Sequence, residues 1–367
     1  MKFQPVSHSW VALHPKPQGV IQFVGGAFFG TFWPMLFYRS LLQRLFKDGY
    51  TIVILPFKFT FNHYAESGFL IREKYEIMPE IVRRAIFAGY DYQPYLSDKN
   101  FSWIGHSIGC KYIALLEAFS ALPTIGNPSD PSYSHRIEEL RKFIEFVVRE
   151  TAKKRDSQLK IDKKIESVFT DLLILINDLE LKRKDAKRLI KYYIKKEANY
   201  KDLKENIEIS SIFIRNQPSL LLAPVNTGLD SAIPKPLASI FIGLGLNVNP
   251  TPEETYALIK NGNLFGLLGL KLFQRDKLAL STSQWFENDF KKPPEGFKED
   301  LKGGHLRPLG IQFGNYVINF PDLKDGIPLI ESIQKRNTQF ESPVSQLFQR
   351  LKDKQAKYSK SKSKQQR

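Results

Sequence analysis

The feature that most constrains this chain lies in residues 100–117. There a short apolar stretch (Phe101, Trp103, Ile104) enters Gly105-His106-Ser107-Ile108-Gly109 and leaves as a helical pattern (Tyr112, Ile113, Leu115, Leu116). Strand, Gly-x-Ser-x-Gly and helix, in that order, form the context of a nucleophile elbow. Such a turn is so tight that the serine's backbone is strained and its neighbours two away must lack side chains. The hydroxyl is then held clear of the backbone at a helix N-terminus, whose dipole and free N–H groups favour negative charge. Two glycines around a serine also occur in plain βα turns; the strand before and the helix after favour the elbow.

The rest of the chain supplies the surroundings that an elbow requires. Residues 19–24 read as a strand buried on both faces, ending at Gly25-Gly26, and Pro34 opens an amphipathic helix that stops at Asp48-Gly49. Residues 50–55 are a second strand closed by Pro56, and a helical pattern over 68–87 leads to the elbow strand. After Pro123 the texture changes: a breaker region with Pro128 and Pro131 gives way to residues 136–206, dense in Lys, Glu, Ile and Leu and free of Gly and Pro. Val168, Leu172, Leu175 and Leu179 fall there at helical spacing, which predicts two or three amphipathic helices with a solvated charged face.

The first pattern then returns. Strands are expected over 219–224 and 265–273, and a weaker one over 296–301. Helices are expected over 234–245, 252–259, 281–290 and 330–354, the last interrupted by Pro343. Strands alternating with helices argue for an α/β fold, a mostly parallel central sheet with helices on both faces. The expected organisation is a core over residues 1–126, a helical cap or lid inserted over 127–215, a second part of the core over 216–356, and a disordered basic tail over 357–367.

Composition narrows the function classes. The single cysteine, Cys110, excludes an internal disulfide framework and a CxxC metal site, and suits a reducing, cytoplasmic compartment; no metal or cofactor is expected. No signal peptide is visible, and the charge-free stretch 20–38 is broken by Gly25, Gly26, Gly30 and Pro34, which fits strand, loop and helix better than a membrane span. The net charge of +16, much of it in the insertion and the tail, implies attraction to polyanions or to an anionic membrane surface without identifying the partner. Nucleic acid is disfavoured, because the aromatic residues are not interleaved with the lysine runs.

Three stretches, Phe23-Val-Gly-Gly-Ala-Phe28, Gly105-His-Ser-Ile-Gly-Cys-Lys111 and Gly304-His-Leu-Arg-Pro308, carry a resemblance. The chain resembles the α/β-hydrolase superfamily, and within it the branch of photosynthetic lineages called domain of unknown function thirteen-fifty. The resemblance implies a chain order of nucleophile, acid and histidine, which falls here on Ser107, Asp276 and His305. His305 follows two glycines in a late loop, whereas His106 is fixed beside the serine with its ring turned the wrong way. A surface histidine is the competing reading of His305. Asp276 stands one step past a strong strand but between Arg275 and Lys277, so that Asp230, after the preceding strand, stays open as the rival acid.

Acyl transfer also needs two backbone donors for the oxyanion. The resemblance puts one on Ile108 and the other in the loop after the first strand, at Ala27 or next at Phe28. Phe28, Phe29, Trp33 and Phe59 cluster after strand ends beside the elbow and are expected to line an apolar pocket, with core packing as the alternative. Two functions follow. One is an esterase or lipase-like serine hydrolase acting on a small-molecule or lipid ester. The other is a non-catalytic α/β-hydrolase scaffold, acting through its basic insertion and tail in assembly or at a membrane surface.

Overall fold

The computed structural model of the protein describes residues 1–58, 60–126, 128–154, 156–197, 206–226, 248–321 and 329–365, with backbone only from 360. Eleven strands are described: β1 (Gln4–Val6), β2 (Ser9–Ala12), β3 (Gly19–Val24), β4 (Tyr50–Ile54), β5 (Phe101–His106), β6 (Ser219–Leu222), β7 (Leu268–Phe273), β8 (Lys298–Leu301), β9 (Gly310–Phe313), β10 (Tyr316–Asn319) and β11 (Leu329–Ser332). The first eight form one sheet in the order β1-β2-β4-β3-β5-β6-β7-β8. Strands β4 to β8 and β3 run parallel, while β1 and β2 are antiparallel additions at one edge. This is the α/β-hydrolase arrangement, with the elbow strand β5 in the middle.

The central strands are apolar throughout because both of their faces are covered. β3 reads Gly-Val-Ile-Gln-Phe-Val with every residue buried. One face carries α1 (Pro34–Phe37) and α2 (Arg39–Lys47), whose Leu41, Leu42 and Leu45 join a core cluster with Ile21, Phe23 and Ile104. The other carries α3 (His63–Phe87) and α4 (Ile108–Phe119). α3 begins at His63, five residues before the expected start, because the Asn62 side chain accepts from Ala65 N–H and caps it.

The gap between β5 and β6 holds α5 (Tyr133–Thr151) and α6 (Gln158–Glu197), as the helical spacing predicted. Their apolar stripe is docked rather than free. Leu175 seats over Gly68 of α3, where a Cβ would come within 2.6 Å of its Cδ1. Arg72 pairs with Asp178, and Lys182 with Glu76 at 2.9 Å. At the other end Lys164 meets Glu254 on α7 (Pro252–Gly262), a helix opened by a Thr251–Glu254 capping box. The helix expected over 234–245 lies outside the described residues.

Three features depart from the sequence reading. β1 and β2, and the separate antiparallel sheet β9–β10–β11, were not foreseen. The helix expected to start at 330 starts at Ile333, because residues 329–332 pair with β10; the turn Ile333–Arg336 and a π-helical turn then lead directly into α8 (Ser342–Gln365). Pro343 then falls in the first turn of α8, directly after the π-helical turn Asn337–Glu341, and breaks nothing. The tail, read as unable to fold, continues this helix to Gln365. Val344, Leu347, Phe348 and Leu351 dock α8 onto the core, and a helix once nucleated propagates at low cost through Lys and Gln.

Candidate active site

The elbow is a direct consequence of close packing. Ser107 has φ 57° and ψ −123°, a conformation rare for a residue with a side chain. The turn closes so tightly that a Cβ on Gly109 would stand 2.3 Å from Val24 O, and one on Gly105 would stand 2.9 Å from Cys110 N. Only glycine fits either place. The strained backbone is held from several sides: Ser107 N–H donates to Leu222 O (3.1 Å), and Ser107 O accepts from Cys110 N–H (3.1 Å) and Val225 N–H (3.3 Å). Cys110 itself is buried, its thiol bonded to Leu222 O, and burial pushes that thiol up and out of reach of redox chemistry at neutral pH.

Ser107 follows β5, Asp276 follows β7 and His305 follows β8, so that the parallel sheet delivers all three to the same edge. His305 Nε2 lies 2.8 Å from Ser107 Oγ, and His305 Nδ1 lies 2.9 Å from Asp276 Oδ2. The other carboxylate oxygen of Asp276 accepts from the N–H groups of Leu278 (3.0 Å) and Ala279 (2.9 Å). Burial opposes the charge on Asp276, but the His305 hydrogen bond and these two amides outweigh it and hold the carboxyl below its usual range. An ionised carboxylate can only accept, so Nδ1 of His305 carries the proton. Nε2 is thereby left as a bare lone pair facing the serine hydroxyl, which must donate. Of the two candidate acids, Asp276 is the one seen against His305; its rival Asp230 lies outside the described residues.

The loop after β3 lies against the serine. A Cβ on Gly26 would come within 3.3 Å of Ser107 Cβ and 3.2 Å of His106 Nδ1. Gly26 N–H is already given to the Tyr38 hydroxyl (2.8 Å), whereas the N–H groups of Ala27 and Ile108 are engaged by no described backbone acceptor. Both N–H groups are therefore the candidates for receiving an oxyanion. Of the aromatic residues expected in the pocket, Phe28 and Trp33 are 61% and 72% exposed on this loop. Phe29 turns inward, with its ring 4.8 Å from Phe37 and 5.0 Å from Phe320, so it packs more than it lines. Phe59 lies outside the described residues.

Three side chains to which sequence reasoning gave no role, His106, Tyr38 and Arg336, hold the site in shape. His106 Nδ1 meets Tyr38 Oη at 2.7 Å, and its Nε2 meets the backbone O of His305 at 3.0 Å. Arg336, fully buried, donates to the carbonyls of Arg307 (3.1 Å), Pro308 (3.3 Å) and Leu309 (3.0 Å), pinning the chain just after the histidine, and is itself paired with Glu341 at 2.7 Å. No local pattern marks these residues, because their partners lie tens to hundreds of positions away. As for a metal, His8, Glu73 and Glu76 bring ligand atoms within 4.8 Å of one another, but Glu73 already accepts from Ser9 and the His8 N–H.

No curated protein matches the chain. Among solved structures it is similar to esterase B from Lactobacillus rhamnosis, in a form inhibited by a C6-C4 SN3 compound. The identity is 10%, over 95% of this chain and 80% of that one, with a TM-score of 0.37. In the form inhibited by a C4-C4 SN3 tributyrin phosphonate the match covers 79% of this chain and 65% of that one, less than two thirds of its length, at 10% identity and a TM-score of 0.34. A thioesterase domain from the curacin biosynthetic pathway is similar at 11% identity over 83% of this chain and 92% of that one, with a TM-score of 0.30. Likeness at this level says nothing about the reaction, and the fold rests on the strand order. Residues 2–129 match the family model described as "Protein of unknown function (DUF1350)", so the branch of the α/β-hydrolase superfamily that the motifs resemble is also the one that the family model finds.

Proposed function

We propose that the protein is a serine hydrolase of esterase or lipase-like type, acting on an acyl ester through Ser107, His305 and Asp276. The observation that carries this is the unbroken hydrogen-bond line from Ser107 Oγ through the His305 ring to Asp276, at 2.8 and 2.9 Å. His305 Nε2 takes the proton as Ser107 Oγ attacks the ester carbonyl, and the Ile108 and Ala27 N–H groups receive the negative charge on the oxygen. The imidazolium, steadied by Asp276, then protonates the leaving alkoxide. Water, activated by the same imidazole, releases the acid and restores the serine.

In this reading the helical insertion over 127–215 is a cap that walls one flank. α6 ties α3 to α7 through Leu175 on Gly68 and Lys164 on Glu254. The starts of those two helices are themselves joined by His63 N–H donating to Asn249 O at 2.8 Å. Exposed Phe28 and Trp33 beside the serine, on a chain of net charge +16, fit an apolar or lipid ester met at an anionic membrane surface from the cytoplasmic side. No described helix is long and apolar enough to cross a membrane.

A fluorophosphonate probe tests the proposal. It should label the wild type and leave Ser107→Ala unlabelled. Failure to label well-folded wild type would refute the hydrolase and favour the non-catalytic scaffold.

A further inference from the structure

The elbow's own histidine is not part of the proton relay from Ser107, yet both of its ring nitrogens are hydrogen-bonded. Its ring is fully buried between three elements. Tyr38, at the join of α1 and α2, approaches its Nδ1 at 2.7 Å, and the backbone oxygen of His305 approaches its Nε2 at 3.0 Å. A carbonyl can only accept, so Nε2 carries the proton. Nδ1 is then an acceptor, and the Tyr38 hydroxyl must be its donor. That hydroxyl has a lone pair left, and Gly26 N–H fills it at 2.8 Å. Every proton in the chain is thereby assigned: Gly26 N–H to Tyr38 Oη, Tyr38 O–H to His106 Nδ1, His106 Nε2–H to His305 O.

We infer that His106 and Tyr38 are positioning residues that lock the backbone of the base His305 to the oxyanion loop at Gly26, so that the base and the oxyanion donors keep one fixed spacing across Ser107. The inference rests on the hydrolase reading and deepens it. Gly26 directly precedes Ala27, whose N–H is a proposed oxyanion donor, and the carbonyl held by His106 belongs to the residue that takes the proton. The two groups belong to segments about 280 positions apart, and no other described hydrogen bond runs between those two loops.

The chain also has an electrostatic consequence. The His106 and His305 rings lie 5.2 Å apart, tilted by 34°. A second imidazolium at that distance would oppose the charge that His305 acquires during acylation. Burial, and then the proximity of His305, hold His106 at about 3, well below the ordinary histidine value, despite the opposing His305 carbonyl and the Asp276 charge. The charged and titratable groups facing it are Tyr38, His305 and Asp276. His106 therefore stays neutral around neutral pH, with its proton held on Nε2 by the His305 carbonyl and its Nδ1 accepting from Tyr38. Without the Tyr38 hydroxyl the proton stays on Nε2 against the His305 carbonyl, but His106 Nδ1 loses its donor and Gly26 N–H its acceptor, so the link between the two loops is cut there.

The experiment combines probe kinetics with nitrogen NMR of histidine on the full chain. Wild-type His106 should appear as a neutral Nε2–H imidazole that does not titrate between pH 5 and 8. Tyr38→Phe and His106→Met should slow the fluorophosphonate reaction at Ser107 by about ten- to a hundredfold, the size expected when a reacting group is displaced by up to an ångström. Tyr38→Phe should leave the proton on Nε2 and shift the Nδ1 resonance of His106, which loses its hydrogen-bond donor. His106→Gln, which keeps an N–H near the place of Nε2, should recover most of the rate that His106→Met loses, a rescue that packing alone does not provide. Melting temperatures verify that each variant is folded. A His106 that titrates near neutrality or carries its proton on Nδ1, or folded variants that react at the wild-type rate, overturns the inference. Wild type that fails to label overturns the hydrolase reading and this inference with it, and so marks the other failure.

Discussion

Replacing Asp276 by Asn separates the role of its charge from the role of its shape. One oxygen of Asp276 accepts from two backbone amides, Leu278 and Ala279, and the other faces His305 Nδ1. Asn must keep its carbonyl oxygen on the two amides, because the flipped amide would set its NH2 against both donors. The NH2 is thus forced toward His305 Nδ1, which must become an acceptor. The ring proton moves to Nε2, and the lone pair that should receive the Ser107 proton is gone. A reversal of this kind costs a serine protease roughly 10⁴ in kcat, and at 1.36 kcal/mol per decade a loss of 10³ to 10⁴ here corresponds to about 4–5.5 kcal/mol of activation free energy.

Stability should change far less in the same variant, by about 1–2 kcal/mol, since the two amide bonds survive and one hydrogen bond to a charged group is exchanged. The sign of the pH effect follows from the depressed folded-state pKa. The charge of Asp276 stabilises the fold above the unfolded carboxyl pKa, and that contribution is lost as pH falls through the lower folded value. Asp276→Asn should therefore unfold less steeply in acid than wild type. Second-order probe labelling and denaturant midpoints measure the two effects. A folded Asp276→Asn that labels within tenfold of wild type would refute the assignment of the tautomer to Asp276.

Other perturbations follow from the packing. Gly109→Ala puts a methyl 2.3 Å from Val24 O and 2.6 Å from Gly25 O, both backbone, and should destabilise by several kcal/mol or prevent folding, whereas Gly266→Ala, with open space at its Cβ, should be neutral or gain up to about 1 kcal/mol; paired melting curves test the contrast. Arg336→Met strands Glu341 and three carbonyls behind the His305 loop and should cost about 3–5 kcal/mol by denaturant titration, with labelling slowed in whatever folds. Leu175→Ala opens a cavity where α6 seats on Gly68, and about 2–4 kcal/mol of lost stability is expected, with the labelling rate preserved.

Much of this molecule is legible along the chain. The strands over 19–24, 50–54 and 101–106, the helical pair after Pro131, and a serine between two glycines follow from local rules, because burial on both faces, helical periodicity and a strained turn each restrict neighbouring residue types. Short elements escaped for the converse reason. β1, β9 and β11 have three or four residues each and are too brief for a period to register. In β10 the outward positions Tyr316 and Ile318 are apolar, which hides the alternation of a half-exposed strand. Residues 330–332 took the pattern of the following helix because nothing local reveals the β10 partner.

By itself the sequence determined that a strained serine would be presented between a strand and a helix. It also narrowed the base to one late histidine and left the acid between two aspartates. Tertiary structure decided the rest. It placed Asp276 on His305, set both ring protons through acceptors that can only accept, and bound His106 and Arg336 to backbone oxygens. These are contacts between groups 27 to 199 positions apart, where identity depends on distance and orientation in the folded state and no neighbouring residue carries the information.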